Sequence, residues 1–222
     1  MTEKSSENST KNRILRAATK LFANQGYQKT TIVEISKEAG FSEAALYEYF
    51  QGKEDLLQSI PNVWVEEAVE KVKEQLFGIK GAGNKLRKFL WWYLRYIEEN
   101  SLTAKVVFLH LKVDRTFVDT PVYQHLKTFY AFLIDIFEEG RTSGEFREDL
   151  NCYLARAIFI GTIEHTVIRW LLKDMSYSLF GTLEHTFELL MNGVQGPSSS
   201  DAMKPSKSIE MAKTIPSATT KN

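Results

Sequence analysis

The sequence predicts an all-α protein, and three observations predict it. From about residue 9 to residue 193 apolar side chains recur at helical spacing, and no stretch alternates with the period of two that strands require. The breaks between periodic segments carry helix-stopping residues: Gly26, Gly40, the run from Gly78 to Gly83, Asn100-Ser101, Thr120-Pro121, Gly140 to Gly144 and Asp174 to Ser178. No internal repeat is present, which sets helical solenoids aside. Nine helices are expected.

The first is expected over about 10–24, with Ile14, Leu15, Ala18, Leu21 and Phe22 on one face and Gly26 as a left-handed stop. The second runs from Thr31 to near Gly40, and the third from Ser42 to near Phe50. The fourth, about 53–77, is long enough to join two domains, and Pro61 two turns inside it deprives the Leu57 carbonyl of an amide partner. That makes Pro61 a kink, and either a hinge or a static adjustment to packing. The remaining helices are longer and more apolar: about 84–99, 101–112, 121–139, 148–173 and 178–192. A domain of short helices over 9–57 and a larger one over 58–193 result, with 1–8 and 194–222 too polar to bury a core and expected to be disordered.

Composition narrows the function classes. The 222 residues carry 28 basic and 28 acidic side chains, so overall charge points to no polyanionic partner. Up to Lys53, however, eight bases stand against six acids, a local net charge of +2. Cys152 is the single cysteine, which excludes an intrachain disulfide and, beside Leu150 and Leu154, reads as a core thiol. The polar first residues lack a secretory h-region, and Arg156, Glu164 and Arg169 interrupt the most apolar stretch. A cytoplasmic, membrane-free protein is expected.

Chemistry-bearing clusters are sparse. His110, His125, His165 and His185 have no partners at metal-ligand spacing, and Glu164-His165 is adjacent where a di-iron helix needs Glu-x-x-His. The Gly78–Gly83 run lacks the phosphate-loop pattern and follows no strand. No metal, cofactor or catalytic role is expected.

The N-terminal helices carry a sharper signal. Thr31-Ile32-Val33-Glu34 is a capping box, Gly40 permits a tight turn, Phe41 can tuck between the helices, and Ser42 caps a helix opening with Glu43, Ala44 and Ala45. Two short helices so joined make a helix-turn-helix, in which small side chains at the start of the second helix allow close approach to the major groove. From Arg13 through Leu57 this segment resembles the DNA-binding domain of the TetR family of transcriptional regulators. The matching residues include Ile14-Leu15, Ala17-Ala18, Leu21-Phe22, Gly26-Tyr27, Thr30-Thr31, Ala39-Gly40, Leu46-Tyr47, Tyr49-Phe50, Lys53-Glu54 and Leu56-Leu57. The resemblance implies phosphate contacts from Thr31, Tyr47 and Lys53. It implies base reading by Glu43, Ala44, Ala45 and Glu48, with Phe41 and Ser42 at the entry. Glu43 and Glu48 make the reading helix acidic; a glutamate accepts from cytosine N4 but repels phosphate. Ser36 stands where the family has alanine, which a hydroxyl bonded back to its own helix tolerates.

Helices 84–99 and 121–139 are loaded with aromatics, and the first is apolar nearly all round. Helices enclosing a ligand, or an ordinary core, both produce that pattern. The pieces Glu138-Glu139-Gly140, Ser143-Gly144-Glu145, Leu154-Ala155-Arg156, Phe159 to Ile163, Arg169-Trp170 and Leu189-Leu190 look like the TetR branch that represses fatty-acid degradation and is released by long-chain acyl-CoA. That resemblance implies operator DNA and a small hydrophobic effector, such as long-chain acyl-CoA, as partners. The effector site is placed at Trp92, Tyr96, Phe108, Phe129, Phe132, Phe159 and Ile163, with Lys105, Lys112, Arg115, Arg156 or Arg169 available to CoA phosphates. A rigid aromatic or drug-like effector fits the same lining, and a helical adaptor that has lost DNA binding fits the acidic helix. Helices 148–173 and 178–192, apolar on two sides, are expected to hold a homodimer.

Overall fold

The computed structural model describes residues 2–113 and 115–195, with side chains described from Ser9 onward except at Thr116 and Thr182; of the expected tail, 196–222 lie outside the described residues. Among these residues there are nine α-helices and no strand. They are α1 (Thr2–Gln25), α2 (Ile32–Ala39), α3 (Glu43–Tyr49), α4 (Lys53–Leu76), α5 (Ala82–Glu99), α6 (Ser101–Val106), α7 (Pro121–Thr142), α8 (Cys152–Leu172) and α9 (Leu183–Val194).

The boundaries follow local chemistry. Helix α1 starts at Thr2, inside the segment expected to lie outside the folded domain, because extending an established helix costs far less than starting one. The Asn151 side chain accepts from the Leu154 amide, so α8 starts there and leaves 148–150 outside. The expected helix 101–112 is divided: α6 passes into a π turn over Val107–Leu111. The expected helix 178–192 opens instead with a 3-10 turn, Leu179–Thr182. Pro61 is buried within α4, which continues through it. Just beyond, the Tyr96 hydroxyl donates to the Trp64 carbonyl at 2.9 Å and the two rings stack at 5.6 Å, pinning this part of α4 to α5.

Gly140 was expected in a break, yet it lies inside α7. A Cβ there would stand 2.2 Å from Phe146 Cδ2 and 2.8 Å from the Ala82 Cβ, so only glycine admits these two neighbours. The chain then turns at Gly144 in the left-handed region, φ +79°, and Glu145 caps α5 from a distance. Its carboxylate accepts the Ala82 amide at 2.7 Å and the Gly83 amide at 2.8 Å, where the helix dipole favours an anion. This latch ties the start of α5 to the end of α7. Gly140→Ala is expected to overpack it by about 3 kcal/mol, lowering the melting temperature by roughly 6–12 °C in a thermal melt.

One continuous core runs from the N-terminal helices, with Ile14, Phe22, Ile35 and Leu46 fully enclosed, through α4 into the aromatic interior of the larger domain. Helix α6 packs against α1, and α4 against both α1 and α7, so the two parts touch along a broad front.

Candidate functional site

The helix-turn-helix is built as its sequence dictates. Thr31 Oγ1 accepts the Glu34 amide at 3.2 Å, and the Glu34 carboxylate accepts the Thr31 amide at 2.8 Å, closing the capping box. These bonds from Thr31 hold the Glu34 carboxyl below its ordinary pKa. Gly40 turns the chain at φ +74°, and the guanidinium of Arg13 donates to the Ala39 carbonyl at 3.0 Å while lying 4.7 Å from the Phe41 ring. Phe41 is accordingly half-buried. Ser36 Oγ donates to the Val33 carbonyl at 3.0 Å, bonding back within its helix. Ser42 Oγ accepts the Ala45 amide at 3.1 Å and starts α3.

Helix α3 is anchored by Leu46, fully buried, so its other side faces solvent. Ser42, Glu43, Ala44, Tyr47 and Glu48 are exposed together and Ala45 is half-buried, forming one accessible face. Tyr47 is 54% exposed, an arrangement that a core tyrosine would not show. Thr31 is exposed at the N-terminus of α2, but Glu34 engages both its amide and its hydroxyl.

Lys53 is placed differently from a free surface charge. Its ammonium donates to the carbonyls of Tyr27 at 2.9 Å and Thr30 at 3.0 Å, more weakly to that of Gln28 at 3.5 Å, and sits 4.4 Å from the Tyr27 ring. The Tyr27 hydroxyl donates to Glu54 at 2.8 Å; burial first, then this carboxylate, pushes the phenol up to about 12. Lys53 thus pins the α1–α2 turn, and a phosphate would have to compete with three carbonyls. Lys53→Ala is expected to loosen this turn, lowering thermal stability and DNA affinity while leaving the salt dependence of binding nearly unchanged. A slope reduced by about one, with stability intact, would instead indicate an ammonium directed at phosphate.

In the larger domain the seven expected lining residues converge, but mostly on one another. Phe89, Tyr93 and Phe129 form the centre of an aromatic cluster with Trp92, Phe132 and Phe159, at centroid separations between 5.4 and 6.4 Å. Trp92 stacks on Tyr96 at 5.3 Å, and Phe108 and Ile163 are buried in the same core. The open space lies beside this cluster. A groove of about 520 Å³ between α4 and α7 is walled by Val69, Val72, Leu76, Phe129, Phe132 and Ile136, with Lys73, Lys85, Asp135 and Glu139 on its border, Lys85 being paired with Glu139. A second, about 230 Å³, lies between α8 and α9 and reaches Phe159. Trp92, Tyr96, Phe108 and Ile163 line neither.

Among the described residues no group of three or more His, Cys, Asp or Glu side chains is arranged to hold a metal ion, and no helix is long and apolar enough to cross a membrane. Burial, then Lys105, lowers the His110 pKa. Cys152 is buried.

The all-helical fold matches what comparison with known proteins finds. A family model described as bacterial regulatory proteins of the tetR family matches residues 14–60, and one described as the C-terminal region of YsiA-like protein matches residues 63–193. The chain belongs to the tetR family. It is a DNA-binding transcriptional regulator of that family, 30% identical over 181 residues to a fatty acid metabolism regulator protein of Bacillus subtilis, covering 82% of this chain and 93% of that protein. The structure of the transcriptional regulator FadR from Bacillus subtilis in complex with stearoyl-CoA aligns with a TM-score of 0.76 at 30% identity, over 82% of this chain and 98% of that chain. The fatty acid degradation regulator FadR from Bacillus halodurans aligns with a TM-score of 0.78 at 27% identity, over 83% and 95% of the two chains.

Sequence reading did not find the roles of Arg13, Lys53 or Glu145, whose partners lie far away in the chain. Nor did it find a polar chain that starts inside the aromatic core: Tyr93 and Tyr130, both buried, then Glu164 and Lys112, both half-buried, from four separate segments. Tyr93 and Tyr130 were legible as apolar aromatics; nothing in their spacing announces that their hydroxyls meet.

Proposed function

We propose that this tetR-family regulator binds a pseudo-palindromic operator as a homodimer, acts as a repressor in the cytoplasm without a catalytic step, and is released by a long-chain acyl-CoA. The observation that carries the effector class is the aromatic and aliphatic core joined to the apolar α4–α7 groove, with Lys73 and Lys85 at its border. An acyl chain needs an apolar, extended space; at its border Lys73 and Lys85 are paired with Glu70 and Glu139, and CoA phosphates would take the place of these carboxylates. The kinship with a regulator seen with stearoyl-CoA supports the same class.

The reader unit spans 9–57 and the effector unit 58–193, with the boundary inside α4. The DNA contacts we propose are Tyr47 and the Thr31 end of α2 on phosphate, and Glu43, Ala44, Ala45 and Glu48 on bases, with Phe41 and Ser42 at the entry. Lys53 contributes chiefly by holding the turn. Trp92, Tyr96, Phe108, Phe129, Phe132, Phe159 and Ile163 form the effector core, and chain entry requires their rings to separate. Such a ligand favours the open, DNA-incompetent state, because equal affinity for both states would shift nothing.

Release passes through α4, whose segment after Pro61 is tied to α5 by Tyr96 and Trp64. The test is nuclease footprinting of the DNA upstream of the protein's own gene. Two protected half-sites about 34–36 Å apart, or a multiple of it, are expected. A single half-site, or no protection anywhere in that region, would oppose the proposal.

A further inference from the structure

Tyr93 on α5, Tyr130 on α7, Glu164 on α8 and Lys112 just beyond the π turn meet in one line. The two phenol oxygens are 2.8 Å apart, the Tyr130 hydroxyl donates to Glu164 at 3.2 Å, and Lys112 is ion-paired to the same carboxylate oxygen. Because Tyr130 gives its proton to Glu164, Tyr93 must donate to Tyr130. Both phenols are buried, and burial first pushes each well above its ordinary pKa, so both remain protonated donors. Lys112 also lies over the Phe108 ring at 4.9 Å.

Two features make this more than the satisfaction of buried polar atoms. Its inner end lies in the expected effector core: Tyr93 stacks on Phe89 at 5.4 Å, and Phe89 touches Phe129, Phe132 and Phe159. Its outer end borders the π turn Val107–Leu111, a rare helix distortion that concentrates at functional sites, and α6 before it packs on α1 of the reading head. Both phenol hydroxyls are engaged as donors, so an acceptor arriving at them must displace one of these bonds.

We propose that this chain reads the carbonyl oxygen of an acyl thioester. The Tyr130 hydroxyl turns from Glu164 to the ligand carbonyl, and the freed Glu164–Lys112 pair shifts the π turn against the head. This rests on the acyl-CoA reading above and names the residue that recognises its polar joint. A carbonyl brought into this core without a donor would lose its water hydrogen bonds uncompensated.

The experiment compares palmitoyl-CoA with S-hexadecyl-CoA, the thioether of equal chain length that lacks only the carbonyl, by direct titration of the full chain. The unaltered protein should prefer the thioester about tenfold. Tyr130→Phe should bring the ratio close to one, and Tyr93→Phe, which keeps the Tyr130 hydroxyl, should reduce it in part and serves where Tyr130→Phe fails to fold. Tyr123→Phe, on the same helix but outside the chain, should leave the ratio unchanged. An undiminished preference in folded Tyr130→Phe, or in Tyr93→Phe where Tyr130→Phe does not fold, or equal binding of thioester and thioether by the unaltered protein, overturns the inference while leaving acyl-CoA as the effector. Binding of neither compound removes the acyl-CoA reading and this inference with it.

Discussion

Ile158→Glu combined with Leu189→Glu is expected to leave the chain monomeric and to weaken operator binding by about 100-fold or more. Helix α8 buries Phe159, Ile163, Val167 and Trp170 against its own domain, yet it also leaves Leu154, Ile158, Gly161, His165 and Leu172 exposed at helical spacing. Leu189 on α9 is 75% exposed, and it borders the same α8–α9 groove as Leu154 and Ile158. An apolar strip of this kind marks an interaction surface, and nothing lies within 4 Å of a Cβ placed on Gly161, which leaves room for a second helix. Carboxylates placed there would lose solvation against the partner's apolar face. Because both side chains face solvent in the protomer, its fold should survive, as circular dichroism would show. Losing the second head removes an avidity of 10²–10⁴, which sets the scale of the loss. Sedimentation showing a persistent dimer would place the interface elsewhere.

Effector affinity should rise steeply with acyl chain length. Each methylene moved from water into the apolar core contributes about 0.8 kcal/mol, so each should tighten binding about fourfold. The slope should be lower for the first methylenes, which must also separate the packed rings of Phe89, Phe129 and Phe132. It should flatten once the chain outgrows the space beside them. Free CoA, with no chain, should bind weakly at most. Titration with C8, C12, C16 and C18 acyl-CoAs measures the slope directly. A flat series would favour a rigid aromatic effector, which the same lining accepts through stacking rather than through length.

Much of the architecture was legible because it is written locally. The capping box at Thr31, the left-handed glycines at 26 and 40, and the Ser42 cap are each decided by residues within four positions of one another. They place α2 and α3, and hence the exposed face of α3, without knowledge of the rest of the chain. Positions decided by distant neighbours were not legible. Gly140 reads as a helix breaker until Phe146 and Ala82 are seen against it, and Glu145 reads as a surface acid until it meets the start of α5. The π turn after Val106 has no sequence period of its own. Within the expected effector core, periodicity identified which side chains turn inward. Whether those rings enclose a space or pack on one another depends on helix separation, which no single helix encodes.

The central claim is that an acyl thioester controls DNA occupancy, and one titration tests it most directly. The protein is bound to a labelled fragment from its own upstream region, and fluorescence anisotropy follows the complex as stearoyl-CoA is added, with free CoA in parallel. The account predicts that stearoyl-CoA dissolves the complex stoichiometrically with its binding to the protein, while free CoA leaves it intact. A complex that persists when calorimetry shows the protein saturated with stearoyl-CoA would contradict it.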